Sequence, residues 1–514
     1  MTHTVLQVYW YWDEVSGDFH HRIERPGHIL NRSDALEVTN IHLFHPLFPS
    51  LALKADLIIF HLLFQPELAQ LIKLRRRDGK VNVFEIPDNF LKPGSWISAD
   101  NPFRNPYIRQ NFLHYAQICD GLQVSSPQLA RVFGFLNENF QVVENQVDVP
   151  ETASLSRSGP FVFGWGGSQG HAEDLEMVAP AILRFCQTYP DTQFAYMGNP
   201  RLYESLFSSM RQEQKRYQEP GSMQQWLDFV SGLHVGLAPL IDTEFNHSRS
   251  DGKFLEYAAM GTPACLSDVS VYQRHREHAL LFRSPDELFQ ALSELYTSRA
   301  KRESLAAKAF DYVVQSRSSQ TQSQVLTRYY QDMLGDQPGG SPIPELPPCT
   351  RLIGLIRRAM KHYYAGHYAR GLQILEEAVS ANPDYQLADL WIMRCLNKLG
   401  DEGRQQLLAI YSELVPHPIF ADLFYENLYL AAEESNPSLA TKWLATIEDP
   451  VRRIHLAPPI GSDREALFRQ VLKHKPYDYF ATEKLYKILR RRPDSPPEYV
   501  ETLHRNLRMI EGKD

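Results

Sequence analysis

The densest chemistry in the chain lies in Arg249-Ser250-Asp251-Gly252-Lys253-Phe254-Leu255-Glu256-Tyr257-Ala258-Ala259-Met260-Gly261-Thr262-Pro263. The pattern predicts a helix over about 250–260, stopped by Gly261 and Pro263 and turned into a buried strand. Spacings of three and four residues then place Arg249, Lys253 and Glu256 on one helix face. Two cations near a helix N-terminus can grip a diphosphate, and a carboxylate one turn further on can take the two hydroxyls of a ribose. The same residues also suit a plain surface salt bridge. A second segment, Gly164-Trp165-Gly166-Gly167-Ser168-Gln169-Gly170-His171, follows a predicted strand and precedes a predicted helix. Its glycines would let backbone N–H groups approach a ligand closely, and a helix N-terminus favours phosphate. It is not the dinucleotide fingerprint, because the third glycine falls on Gln169, nor a P-loop, because no Gly-Lys-Ser/Thr follows. A structural tight turn accounts for it equally well.

Such segments work only if a scaffold brings strand ends and helix starts together. Val5-Leu6-Gln7-Val8-Tyr9-Trp10, Ala55-Asp56-Leu57-Ile58-Ile59-Phe60-His61 and Val81-Asn82-Val83-Phe84-Glu85-Ile86 read as buried strands, with a helix over 66–77 between the last two. Strand, helix, strand is the grammar of a parallel α/β sheet. Gly121-Leu122-Gln123-Val124-Ser125 is a further strand, after which Ser126-Pro127 opens a helix. The polar, broken stretch 145–160 reads as a linker. A second series follows: strands at Phe161-Val162-Phe163-Gly164-Trp165, Phe194-Ala195-Tyr196-Met197-Gly198, Val235-Gly236-Leu237-Ala238-Pro239 and Thr262-Pro263-Ala264-Cys265-Leu266-Ser267, with helices over 174–189, 285–312 and 320–334. Open α/β sheets bind ligands at the carboxyl ends of their strands. His61 ends one such strand and Asp88-Asn89 follows another, so both are cleft candidates. Their plain alternatives are a satisfied strand-end histidine and an ordinary turn. Residues 335–344, with Pro347 and Pro348 beyond, form the clearest linker, and the composition after it is helical.

With 514 residues the chain has room for about three domains. A net charge of −8 argues against a dedicated nucleic-acid binder, which usually carries a basic domain or stripe. The short basic runs Arg75-Arg76-Arg77 and Arg490-Arg491-Arg492 read as solvated helix ends, with contact to an anionic membrane surface as the second option. The cysteines at 119, 186, 265, 349 and 395 form no C-x-x-C, which argues against a disulfide framework or zinc site and for a reducing compartment. No signal peptide and no spanning run of roughly 18 apolar residues is evident. No D-x-D stands between apolar strands, so no metal or other cofactor is expected.

The stretch 249–263 resembles the donor-site signature of group-1 (family four) GT-B glycosyltransferases, Lys/Arg-Ser-x-x-Lys-x-x-Glu-Tyr-x-Ala-x-Gly-x-Pro. The Gly236-Leu237-Ala238-Pro239-Leu240 strand end and the Gly164–Ser168 loop fit as well, and Val142-Val143-Glu144-Asn145-Gln146-Val147-Asp148 is similar to that family's interdomain crossover. The resemblance implies a cytoplasmic enzyme, with a peripheral place at the inner membrane as the second option. It would move a sugar, with retention, from a nucleotide-sugar donor to a protein, glycan or lipid-linked acceptor. It further implies that Glu256 holds the donor ribose, that Arg249 and Lys253 contact the phosphates and carry the catalytic charge, and that Gly166, Gly167 and Ser168 face the diphosphate. His61 would be a cleft residue near the reacting centre, and Gly17 and Asp88 would lie on the acceptor side. The family's first motif glutamate falls on Ser248, and Ser16-Gly17-Asp18 lacks the usual Gly-Gly pair. Further on, Tyr364-x-Gly366-x-Tyr368, Ala378 and Pro383 resemble a tetratricopeptide repeat. Gly400 falls about 34 residues after Gly366, the period of that repeat, and Pro418 echoes Pro383. A generic helical bundle is the plain alternative.

The expected architecture is α/β: two Rossmann-like domains (GT-B) at 1–155 and 156–335, a Pro/Gly linker at 336–350, and an all-α helical-repeat domain at 351–514. The helical domain would present a protein acceptor or assembly partner. Two other functions fit the sequence: a GT-B scaffold without chemistry, kept open by Ser248, and a nucleotide-sugar epimerase, which would have no use for a docking surface.

Overall fold

The computed structural model describes residues 2–10, 17–95, 97, 101–150, 157–458 and 463–513. Ser16, residues 151–156 of the first expected linker and the 155/156 boundary lie outside them. The N-terminal sheet contains β1 (His3–Tyr9), β2 (Leu36–His42), β3 (Leu57–His61), β4 (Val81–Ile86), β5 (Gly121–Val124) and β6 (Phe140–Val142). All pairs are parallel, in the order β2-β1-β3-β4-β5-β6. Leu57, Ile58, Ile59 and Phe60 of β3 are all fully buried, as a parallel strand covered on both faces requires. Ser126 caps the helix Pro127–Phe133 by accepting from the Leu129 N–H, as its Ser-Pro start predicts.

The second sheet contains β7 (Val162–Gly167), β8 (Gln193–Gly198), β9 (Lys215–Gln218), β10 (Val235–Ala238), β11 (Ala264–Ser267) and β12 (Leu280–Phe282). It too is parallel, in the order β12-β11-β10-β7-β8-β9. The pair of sheets with flanking helices is the GT-B-like arrangement of two Rossmann-like domains. The helix expected over 285–312 is two, Pro285–Thr297 and Arg299–Ser316, because Ser298 leaves helical geometry and caps the second through the Lys301 N–H. The helix Ser319–Leu334 then crosses back to the first sheet. Its Leu326, Tyr330 and Leu334 enter the core of Val5, Leu57 and Val81, and Tyr330 Oη donates to Gln123 Oε1 at 2.7 Å.

From Thr350–Tyr364 to Pro497–Glu511 the chain is helical. Gly366 (φ +78°) and Gly400 (φ +82°) occupy the left-handed region at the two repeat turns, which a side chain would strain. Ala378 is buried, and Pro383 follows the end of the helix Tyr368–Ala381. The helical region packs onto the N-terminal domain, and one apolar core runs from Phe44, Leu51 and Ile72 to Leu355, Tyr385 and Trp391. Tyr385 Oη donates to the Phe44 carbonyl, Arg357 to the Trp10 carbonyl at 2.8 Å, and Lys73 to Glu448 at 2.6 Å. Among the described residues no helix is long and apolar enough to cross a membrane.

Candidate functional site

The central helix of the site runs Gly252–Ala259, shorter than the sequence pattern predicts, and Gly261 (φ +65°) ends it. Phe254, Leu255, Tyr257, Ala258 and Ala259 are all buried, so packing fixes the helix on nearly every side. Asp251 stands at its N-terminus without capping it. Its carboxylate instead receives Arg317 in a two-pronged pair (2.8 and 2.9 Å), with Arg274 and His275 beside it. Burial would raise its pKa, but these partners hold it well below the usual carboxylate range.

Arg249 therefore lies outside the helix, in the turn after the short helix Glu244–His247, and does not share a helix face with Lys253 and Glu256. The turn still delivers it to them. Its guanidinium stands 5.6 Å from the Phe245 ring, and its Nη1 is buried with no hydrogen-bond partner among the described residues. Lys253 Nζ donates to the Gly166 carbonyl and lies 5.7 and 5.2 Å from the Trp165 and Trp226 rings. Burial pushes its ammonium down to about 8, opposed by Glu256 and reinforced by Arg249. Glu256 is nearly buried. One oxygen lies 2.7 Å from His21 Nε2, on the other domain, and the other accepts from Trp226 Nε1 at 2.8 Å. Burial works to raise its pKa, yet His21, Lys253 and Trp226 keep it below the ordinary value.

Gly166 and Gly167 end strand β7 and do not form an open loop. A Cβ on Gly166 would stand 2.3 Å from Trp226 Cζ3, and one on Gly167 would stand 2.7 Å from the Trp165 ring. Glycine at 166 thus admits the indole that bonds Glu256. Ser168 is exposed, and its carbonyl accepts from the His171 N–H. His171 is buried 2.8 Å from Asp174, and burial, Arg249 and Lys253 together push its imidazole well below the usual value. Asp174 accepts from the Ile241 N–H and Asn246 Nδ2.

Across the cleft, Asp88 follows β4 and is partly buried. Burial, then the charge of Asp18, push its carboxyl up to about 6, against the pull of Arg249 and Arg22. Asn89 donates to Ser248 Oγ (3.3 Å) and Ser126 Oγ to the Ser248 carbonyl (2.8 Å), so position 248 serves as a contact between the domains. Gly17 is exposed, and nothing among the described residues lies within 4 Å of where its Cβ would be. His61 is fully buried 3.2 Å from Glu85, which also binds Arg22 (2.6 Å) and Gln123. Burial would raise the Glu85 pKa, but Arg22 and His61 bring it to about 2. His61 thus lies against the buried Arg22–Glu85 ion pair and is not a side chain open to the cleft.

No family model and no curated protein matches this chain. Solved structures do. HepE of Anabaena in complex with UDP is similar at a TM-score of 0.48 and 11% identity, covering 64% of this chain and 100% of that one. An E. coli trehalose-6-phosphate protein bound with UDP-2-fluoro glucose gives 0.45 and 12%, covering 65% and 100%. A mutant of S. aureus TarM, in complex with fondaparinux, alpha-GlcNAc-glycerol and UDP, gives 0.43 and 10%, covering 57% and 58%.

His21, Arg22, Trp226, His171, Asp174 and Asp18 join the site without having been assigned a role from sequence. His171 closes the glycine segment and Asp18 adjoins Gly17, so a signal existed for these two. Trp226 lies in an unremarkable amphipathic helix, Met223–Ser231, and no spacing singles it out.

Proposed function

We propose that the protein is a glycosyltransferase. A nucleotide-sugar donor binds in the C-terminal domain, and the sugar passes to an acceptor, a protein or a glycan, on the N-terminal side of the cleft. The observation that carries this reading is the buried, unpartnered Nη1 of Arg249 beside Lys253. Buried polar groups are normally bonded, and a guanidinium left open next to a second cation suits a phosphate. A departing diphosphate needs positive charge held in place as its own charge develops, and Arg249 and Lys253 supply it. Glu256, with both oxygens bonded from opposite sides of the cleft, is set to exchange one partner for the hydroxyls of a ribose. All five cysteines are free, which suits the cytoplasm.

Retention of configuration follows from the resemblance of the 249–263 segment. Asp88 favours a second reading. A carboxylate with a pKa near 6 is suited to act as general base at neutral pH, and that would invert the anomeric centre. The NMR-determined anomeric configuration of the product separates the two.

A thermal-shift screen against UDP, GDP, ADP, CMP and their common sugars tests the donor site, because a ligand bound only by the folded state raises the melting temperature. The expected result is a selective shift that is lost in Glu256→Ala. No shift with any nucleotide would favour the scaffold reading.

A further inference from the structure

Helices Leu68–Arg77 and Pro106–Ile118 of the N-terminal domain face the helical region across an open cavity of about 1410 Å³. This exceeds the roughly 300–1,000 Å³ that suits a small ligand. Ile118, Leu423, Val451, Leu467, Phe468 and Ile488 give it an apolar lining. Of its acids, Glu67 is buried, and the other four are committed to the protein itself. Asp422 accepts from the N–H groups of Glu448 and Asp449, Asp449 and Asp478 cap the helices Pro450–Leu456 and Tyr479–Leu489, and Glu426 pairs with Arg452. Most of its cations are committed as well: Lys73 pairs with Glu448, Lys475 donates to Asn111, Lys484 and Lys487 pair with Glu483, and Arg492 pairs with Glu465. The wall over 464–492 presents Arg464, Lys475, Lys484, Lys487, Arg491 and Arg492. Arg464 and Arg491 are exposed and have no ion-pair partner among the described residues.

We propose that this cavity docks an extended acidic peptide segment of the acceptor protein, with apolar side chains entering beside Phe468 and Ile488 and carboxylates meeting Arg464 and Arg491. The identity of the partner as acceptor rests on the transferase reading; the peptide chemistry does not. Concave arrays of helix pairs suit extended chains. Uncommitted cations select acidic over basic partners, with affinity that falls as salt rises. The helical region also packs on the N-terminal domain, the side to which the acceptor is assigned.

The test uses the full chain and two fluorescein-labelled dodecapeptides, one alternating Glu with Leu and Phe, the other carrying Lys in place of Glu. Fluorescence anisotropy should show binding of the acidic peptide only, weakening as salt rises. The double variant Arg464→Glu/Arg491→Glu should lose more than tenfold in affinity. Both side chains are exposed and unpaired, so circular dichroism and melting temperature should match the parent. Equal binding of the two peptides, or unchanged affinity in the double variant, would overturn the proposal. So would charge-dependent binding to phosphatidylglycerol vesicles with no binding of the peptide. The UDP thermal shift is read in parallel: its absence with peptide binding intact counts against the transferase reading alone.

Discussion

Asp88 carries the sharpest consequence at the scale of a residue. Its carboxyl is raised from 3.8 to about 6 by burial and by Asp18, so its ionised form is disfavoured by folding. For a group with a raised folded pKa, the stabilising contribution is full below 3.8 and is lost as pH rises through 6. Asp88→Asn should therefore raise stability at pH 7.5 by on the order of 1–3 kcal/mol, and the gain should vanish near pH 4. Melting curves at the two pH values check this. If Asp88 contacts the acceptor hydroxyl, the same variant should lose at least about tenfold in turnover. On the transferase reading, the parent's kcat/KM should then rise with pH through about 6. A stabilised variant with full activity would make Asp88 an ordinary buried turn residue.

At the scale of elements, the four strands that form the edges of the two sheets, β2, β6, β9 and β12, were not legible in the sequence. Every central strand was. The reason is physical. Central strands are buried on both faces and are mostly apolar, whereas Lys215-Arg216-Tyr217-Gln218 and Phe140-Gln141-Val142 are half-exposed and carry polar side chains. The candidate site divides in the same way. Lys253 and Glu256 follow from helix spacing, which also put Arg249 on their face although it stands in the preceding turn, and His21 and Trp226 reach Glu256 only through tertiary packing. Asp251 shows how the key helix is held without a cap. Asp251→Asn leaves Arg317, Arg274 and His275 around a neutral group, and breaking a buried pair of this kind costs about 3–5 kcal/mol. Because the Asp251 pKa is depressed below 3.8, its contribution is present above that value and lost as pH falls from there through the folded pKa. The variant should melt well below the parent at pH 7, with the difference shrinking in acid. An unchanged melting temperature would mean that the helix is held by its apolar faces alone.

At the scale of the whole molecule, the proline-rich stretch after residue 335 suggests a tether, yet the helical region is part of the N-terminal domain's own core. Gly340 N–H donates to Asp56 at 2.8 Å, so even the linker lies against that domain. Phe44, Leu51 and Ile72 share one apolar cluster with Leu355, Tyr385 and Trp391, while the second sheet keeps separate clusters around Phe163 and Phe254. Removing residues 351–514 would bare an apolar face on the N-terminal domain far more continuous than a soluble surface normally tolerates. The truncated chain should aggregate or melt roughly 10 °C or more below the parent, since each kcal/mol moves a domain of this size by about 2–4 °C. Size-exclusion chromatography and melting curves check this, and the C-terminal sheet gives an internal control. Its clusters do not include the helical region, so a UDP-type shift in any soluble fraction should persist. A truncated chain that stays monomeric at the parental melting temperature would show the helical region to be a separable module.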